Sequence, residues 1–206
     1  MERDSTDDIR AIISRMISER IPKAFGMDPR SDVQVLTPMH RGPLGSEGIN
    51  EMLGQLLNPG RGRVRLAPGD KVMQIRNNYD KEVFNGDVGF IEGYANDERT
   101  LLVAFDEPGG GRRMRHYDPA DQEQLVPAWA ISIHKSQGSE YPAVVIPLHT
   151  QHYMMLRRNL VYTAVTRGKR LVVLVGSRRA LQMAVSAGSV RRRHGRLADR
   201  LRELVA

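Results

Sequence analysis

Apolar residues near the amino end recur at helical spacing. Ile9, Ile12, Ile13, Met16 and Ile17 fall on one stripe, as the buried face of an α-helix requires. Ser5 or Thr6 can cap that helix, and Asp7 and Asp8 in its first turn offset the positive end of its dipole. The pattern predicts a helix over residues 4–20, ended by Pro22 and Gly26. Residues 33–39 then form a short β-branched run that reads as a buried strand. It leads through a polar loop, residues 37–46, into a second helix with Ser46 as cap and Ile49, Met52, Leu53, Leu56 and Leu57 as its buried stripe. Asn58-Pro59-Gly60 stops that helix. Strand, loop and helix in this order are the α/β signature, in which ligands sit at the carboxyl ends of strands. The loop around Thr37 and Arg41 is therefore a candidate site edge, and equally a plain connection.

The texture changes after residue 63. Strand-like runs at 71–76, 88–94, 101–105, 112–117 and 123–126 alternate with turn signals such as Asn85-Gly86-Asp87, leaving no room for helices. Such spacing predicts a small antiparallel barrel. Because α/β texture resumes at Pro127, the barrel reads as an insertion: residues 64–126 inside a domain made of 1–63 and 127–206. The basic run Arg112–His116 suits contact with phosphates or a merely solvated hairpin.

In the last third, Pro127 can open a helix over 127–136, with Trp129, Ile131 and Ile133 inward and Gly138 as its left-handed cap. A buried strand at 143–148, a helix at 153–166 stopped by Gly168, a Val-rich strand at 170–176 and a helix at 178–186 follow. The strand at 170–176 reads as central, covered on both faces. The tail holds Arg191–Arg193 and a possible amphipathic helix at 197–205. Alternating helices and strands imply an open parallel sheet with helices on both faces. Two polar clusters border its apolar segments, His134-Lys135-Ser136-Gln137-Gly138-Ser139-Glu140 and Thr163–Arg170, and are expected to converge on one crevice.

Residue chemistry leaves each cluster with two readings. A guanidinium such as Arg167 is a planar fork of donors suited to phosphate oxygens, yet Arg167, Lys169 and Arg170 at a helix end also complement its dipole. Gly138 permits close approach of backbone to a ligand. Glu140 can accept from a ribose or be a surface carboxylate. His134 can meet a nucleic-acid backbone or be a core histidine. No GxxxxGK[ST] phosphate loop occurs, nor a strand ending in Asp-Glu to hold Mg²⁺, so any ATP chemistry needs another domain's half of the site.

Composition narrows the partners. Lys and Arg number 31 against 24 Asp and Glu, a net charge of +7 that favours a polyanion, nucleic acid first. There is no cysteine among the residues and the six histidines lack ligand spacing, so no metal site is expected. No apolar run approaches the ~20 residues of a membrane span. The acidic start MERDSTDDIR is not a signal peptide, and the lack of cysteine fits a reducing cytoplasm.

Together, HKSQGSE and NLVYTAVTRGKR resemble motifs V and VI of superfamily 1 helicases. VQVLTPMHRGPLGSEGINEMLGQLLNPG and GDKVMQIRNNYDKEVFNGDVG are similar to the RecD/TraA branch, the RecD-like 5′-to-3′ DNA helicases. The resemblance spans residues 21–176. It implies an α/β, RecA-like domain 2A, a P-loop NTPase-like half without the P-loop, interrupted by an SH3-like 2B barrel. The 1A domain with both Walker motifs would precede Met1, making the chain a fragment of an ATP-dependent helicase that does not hydrolyse ATP alone. Carried over, Arg167 is the motif VI arginine finger. Gly138 and Glu140 meet the nucleotide, with Arg41 as a second cation. Thr37, His134, Lys135 and Ser136 meet single-stranded DNA. ATP with Mg²⁺ would be held mainly by 1A, and recombination or conjugation subunits are possible further partners. Asn77–Phe84 belongs to a stretch the family keeps, without an assigned role. The alternative is a non-enzymatic nucleic-acid-binding or adaptor module using the barrel and the basic surface.

Overall fold

A computed structural model describes residues 5–62, 64–95, 99–107, 110–187 and 202; the expectations for the arginine-rich tail and its helix lie outside these residues. Helix α1 (Thr6–Arg15) buries Ile9 and Ile13, runs through a wider π turn at Met16–Arg20, and continues as α2 (Ile21–Phe25) to Gly26. The wide turn sits immediately before Pro22, which has no N–H to donate one turn back; Ile21 N–H reaches the carbonyl of Met16 instead. Proline therefore deforms this helix without ending it. Ile9, Ile13, Ile17 and Ile21 are all buried, each contributing about 2 kcal/mol by apolar burial.

Strands β1 (Val33–Thr37), β7 (Ala130–Ser132), β8 (Tyr141–Leu148) and β9 (Gly168–Gly176) form a parallel sheet in the order β7-β1-β8-β9. On one face, α1 and α3 (Ser46–Leu57) bury Ile9, Ile13, Ile49 and Leu53 against Val33, Val35, Ala143 and Val145. On the other, α4 (Arg158–Val165) and α5 (Arg178–Ser186) bury Leu160, Val161, Ala164, Ala180 and Ala184 against Val144, Ile146 and Leu148. The expected α/β sheet covered on both faces is present.

Strands β2 (Lys71–Gln74), β3 (Val88–Tyr94), β4 (Leu101–Asp106), β5 (Arg112–Tyr117) and β6 (Leu125–Pro127) make a separate antiparallel sheet, ordered β5-β4-β3-β2-β6. Its core contains Val72, Val83, Ile91, Val103, Phe105 and Tyr117. Alternation along β2 and β3 turns Met73, Val88 and Phe90 away from that core and toward the parallel sheet. Met73 and Val88 join its lower face, while Phe90 meets Trp129 edge to face at 6.3 Å.

Several expected elements differ. Residues 127–136 are not a helix: they form the end of β6, strand β7 and a 3₁₀ turn at Ile133–Ser136. The tertiary reason is Asn50 on α3. Its carboxamide donates to Ala130 O and accepts from Ala130 N–H, both at 2.8 Å. It thus replaces a neighbouring strand on the outer edge of β7. Strand β9 lies at the sheet edge, not its centre, and residues 171–174 are only half-buried. The helix expected at 153–166 begins at Arg158: residues 153–155 are turns that continue a 3₁₀ turn at Thr150–His152, capped by His149, and residues 156–157 are extended or irregular. Gly168 begins β9. Gly45, not Ser46, caps α3; a Cβ there would collide with the His40 and Arg41 carbonyl oxygens, so only glycine fits.

Candidate functional site

The motif residues occupy two ends of the parallel sheet. At the carboxyl end, Thr37 pairs with Ser132, so the loop after β1 and the turn after β7 emerge side by side. At the amino end, Tyr141 pairs with Gly168, which sets Ser139 and Glu140 beside Thr166, Arg167 and Lys169. Roughly 13 Å of strand, four steps at about 3.3 Å each, separates the two ends of β1. The two clusters converge as expected at the amino end, through Ser139 and Glu140 against Arg167 and Lys169, while His134 and Lys135 lie apart from that corner at the carboxyl end.

At the amino end, Arg167 is half-buried and held by three acceptors. Its Nη1 donates to Ser139 O at 3.1 Å, Nε to Thr163 O at 3.2 Å and Nη2 to Thr166 Oγ1 at 3.2 Å. Tyr141 N–H donates to the Arg167 carbonyl at 2.8 Å. Glu140 and Lys169 form an ion pair at 3.3 Å, with each side chain more than half exposed, so it contributes little to stability. Burial pushes the Tyr141 hydroxyl above its usual pKa, while a hydrogen bond with Ser139 and the Arg167 charge pull it back. Tyr141 thus belongs to this corner, which sequence reasoning missed because a strand-leading tyrosine carries no signal of its own. Gly138 has φ +88 and open space around it. The expectation that this position needs glycine holds, although it sits between a 3₁₀ turn and β8 and caps no α-helix.

At the carboxyl end, His134 and Lys135 are exposed. Lys135 lines a cleft of about 600 Å³ together with His40, Asn50, Ser132, Met73 and Ile75. The cleft therefore lies between the parallel sheet and the inserted one. Thr37 and Ser136 are fully buried. Thr37 Oγ1 donates to Met39 O at 2.9 Å, and Ser136 Oγ to Ile133 O at 2.7 Å. Their hydroxyls brace the two loops, and the exposed chemistry passes to His40, Arg41, His134 and Lys135. His40, which sequence reasoning overlooked beside Arg41, is fixed by a 2.8 Å hydrogen bond between Nδ1 and Ser46 Oγ. Arg41 follows His40 at this carboxyl end, so the structure does not join it to Arg167 as a second cation.

The basic run on β5 is already neutralised. Arg112 pairs with Glu92 at 3.0 Å and Asp106 at 3.4 Å, Arg113 lies 3.7 Å from Glu82, and Arg115 pairs with Glu82 at 2.9 Å. Among the described residues, no cluster of three or more His, Asp or Glu side chains is arranged to hold a metal ion, and no helix is long and apolar enough to cross a membrane.

Comparison with known proteins agrees with this arrangement. The model of the UvrD-like helicase C-terminal domain matches residues 127–175, covering both motif clusters, and that of the ATP-dependent RecD-like DNA helicase SH3 domain matches residues 49–105. The chain carries the UvrD-like C-terminal domain and the SH3 domain of RecD-like helicases. It is 40% identical over 175 residues to the ATP-dependent RecD2 DNA helicase of Deinococcus radiodurans, covering 82% of this chain and 23% of that protein. It is 29% identical over 161 residues to the RecBCD enzyme subunit RecD of Mycolicibacterium smegmatis, covering 77% and 27% respectively. The chain thus spans about a quarter of the length of these relatives. Among solved structures, the Bacteroides Pif1 helicase in complex with ADP-AlF3 and ssDNA aligns with 98% of this chain and 50% of its own, at TM-score 0.53 and 16% identity. Pif1 from Candida albicans aligns with 85% and 53%, at TM-score 0.52 and 20% identity. At these identities the likeness shows the RecA-like helicase fold.

Proposed function

We propose that this chain is the 2A motor domain of an ATP-dependent 5′-to-3′ DNA helicase, residues 1–63 with 127–206, carrying a 2B barrel at 64–126. In this reading it supplies half of an ATP site and part of a single-strand track. The supporting observation is Arg167, whose guanidinium is anchored to Ser139 and Thr163 at one end of a sheet whose other end exposes His134 and Lys135. The direction of travel rests on the RecD-like family alone.

The donor set at the amino end suits the outer side of a triphosphate. Arg167 and Lys169 offer cations, Gly138 offers close backbone approach, and Glu140 offers an acceptor for a ribose. ATP with Mg²⁺, held mainly by a 1A domain, supplies the phosphoanhydride whose cleavage develops charge on the transferred group. Arg167 stabilises that charge from across the cleft. Its carbonyl anchors restrict the side chain before the nucleotide arrives, which lowers the entropy lost on engagement. Because β1 and β8 tie the two ends of the sheet together, closure at the amino end moves the strand-facing end as one body. The rival reading, an adaptor that binds through the barrel's arginines, is disfavoured by their carboxylate partners.

Arg167→Ala in the full-length parent tests the reading. DNA-stimulated ATP hydrolysis should fall by ~10³-fold or more while single-strand binding persists. Hydrolysis within about twofold of wild type would sink the assignment, given that expected magnitude.

A further inference from the structure

The turn joining β2 to β3 carries two exposed aromatic rings on a tightly pinned backbone. Asn78 and Val83 exchange N–H···O bonds at 2.8 and 3.0 Å. The Asn78 carboxamide accepts from Lys81 N–H at 3.1 Å and donates to Gln124 Oε1 at 3.1 Å. Asn77 Oδ1 accepts from Asn85 N–H at 3.0 Å, and Asp87 Oδ2 from Phe84 N–H at 2.8 Å. Ion pairs of Glu82 with Arg115 and Lys81 with Asp121 tie the turn to the rest of the barrel. Val83 is completely buried as its peg. Glu82, at φ 53, is the one non-glycine residue with a left-handed backbone among the described residues, a strained conformation that persists only where its surroundings impose it.

On the outer side of this frame Tyr79 is 74% exposed and Phe84 46% exposed. Their rings meet edge to face, with centroids 6.1 Å apart. Neither ring belongs to a core cluster, so packing does not require either one. Rigid, solvent-facing aromatic surfaces are what an unstacked base needs, because every base has a π-face and the contact is indifferent to sequence. Position points the same way. Ile75, at the start of this turn, lines the cleft that Lys135 and His40 line from the opposite side, and Arg76 beside it is exposed.

We propose that Tyr79 and Phe84 form a stacking platform for unpaired nucleobases, extending the single-strand path from His134 and Lys135 onto the inserted barrel. The inference rests on the strand-binding part of the function proposed above. It adds a grip on bases to a grip on phosphates.

The test measures binding of the 206-residue chain to a labelled oligothymidylate and to an abasic backbone of equal length, at one low salt concentration. Wild type should prefer the thymidylate by at least about fivefold, the least that one stacked base supplies. Tyr79→Ala with Phe84→Ala should erase that preference and leave abasic binding within about twofold, since phosphate contacts are untouched. Exchanging the rings, Tyr79→Phe with Phe84→Tyr, should retain it. An unchanged unfolding midpoint in the alanine variant confirms that the turn is intact. A preference that survives the alanine pair overturns the platform, as does equal binding of both oligomers by wild type. Absence of binding to either oligomer overturns the strand-binding reading and the platform with it.

Discussion

The Arg167 guanidinium donates to the Ser139 carbonyl at 3.1 Å, across 28 positions of sequence. With Tyr141 N–H returning a bond to the Arg167 carbonyl at 2.8 Å, the ends of two polar clusters become one rigid corner. A loop carbonyl after one 3₁₀ turn thereby sets the direction of an arginine that follows a distant helix.

Arg167→Lys separates charge from geometry. Lysine keeps the cation but is a point donor without the fork. It cannot meet Ser139 O, Thr163 O and Thr166 Oγ1 together. On the proposed assignment, ATP hydrolysis by the full-length parent should fall at least ~10²-fold, whereas urea denaturation of the chain should shift by only about 1 kcal/mol. Near-normal hydrolysis in the lysine variant would mean that charge alone suffices there.

A second prediction concerns how the inserted sheet is attached. Asp70 is fully buried where the chain enters β2. Its carboxylate accepts from Asn58 Nδ2 at 2.9 Å and Ala67 N–H at 3.0 Å, and lies 3.3 Å from Arg61 Nη2. Asp70→Ala strands a nearly buried guanidinium and should cost about 3 kcal/mol. Asp70→Asn, which keeps an acceptor, should cost less. Chemical denaturation of the two variants gives the order, and equal losses would place the effect in the carboxylate's charge.

Much of this fold is visible in local pattern. Strand β1, the five strands of the insertion, α3 and α5 follow from β-branched runs, periodicity and turn residues; β1 and β2 are buried at every position, so there the short apolar run and not alternation carries the signal. Residues 128–133 mislead because they are buried on every side except at Ser132, which erases the period that separates helix from strand. The contact that makes Ala130 a strand residue comes from Asn50, 80 positions away. The edge position of β9 is likewise a matter of strand order, which Val-rich composition does not encode. At the site, residue types pointed to Arg167, Glu140, His134 and Lys135. They were silent on which hydroxyls point inward, so Thr37 and Ser136 looked like contacts although both brace the backbone. Arg41 looked like a partner of Arg167 because its motif is a string of letters; the register of β1 puts it at the opposite end.

Acid should weaken the fold through His152. An unfolded histidine titrates near 6.5. Burial, with the charge of neighbouring His149 adding to it, holds His152 down at about 4. His152 Nδ1 accepts from His149 N–H at 3.3 Å, and a protonated ring would set two donors against each other. Between those two values the unfolded chain binds a proton that the folded chain refuses. This contribution is fully present above pH ~6.5 and is lost as pH falls toward ~4, amounting to about 3 kcal/mol in all. Urea midpoints measured across that window should decline, and His152→Gln, which keeps an acceptor, should flatten the decline. An equal decline in the variant would assign the acid sensitivity to other groups.

Lys71 gives a slope of the same sign in base. Its side chain is only 3% exposed. Nζ reaches Val33 O at 3.4 Å and lies 6.0 Å from the Phe90 ring centroid. Burial lowers its pKa to about 8, against the raising influence of Asp106, Asp32 and Asp28. An unfolded lysine holds its proton to about 10.4. The unfolded chain therefore binds more protons between pH ~8 and ~10.4, and this residue's contribution to stability increases with pH across that range. At neutral pH the cation is a net cost of up to about 3 kcal/mol, partly offset by roughly 1 kcal/mol from the carbonyl and ring contacts. Lys71→Met keeps the apolar stem and removes the charge. It should raise stability at pH 7 by about 1–2 kcal/mol and abolish the rise above pH ~8. A destabilised methionine variant would mean that the Val33 and Phe90 contacts outweigh desolvation, and that Lys71 helps to hold the inserted sheet on the parallel one.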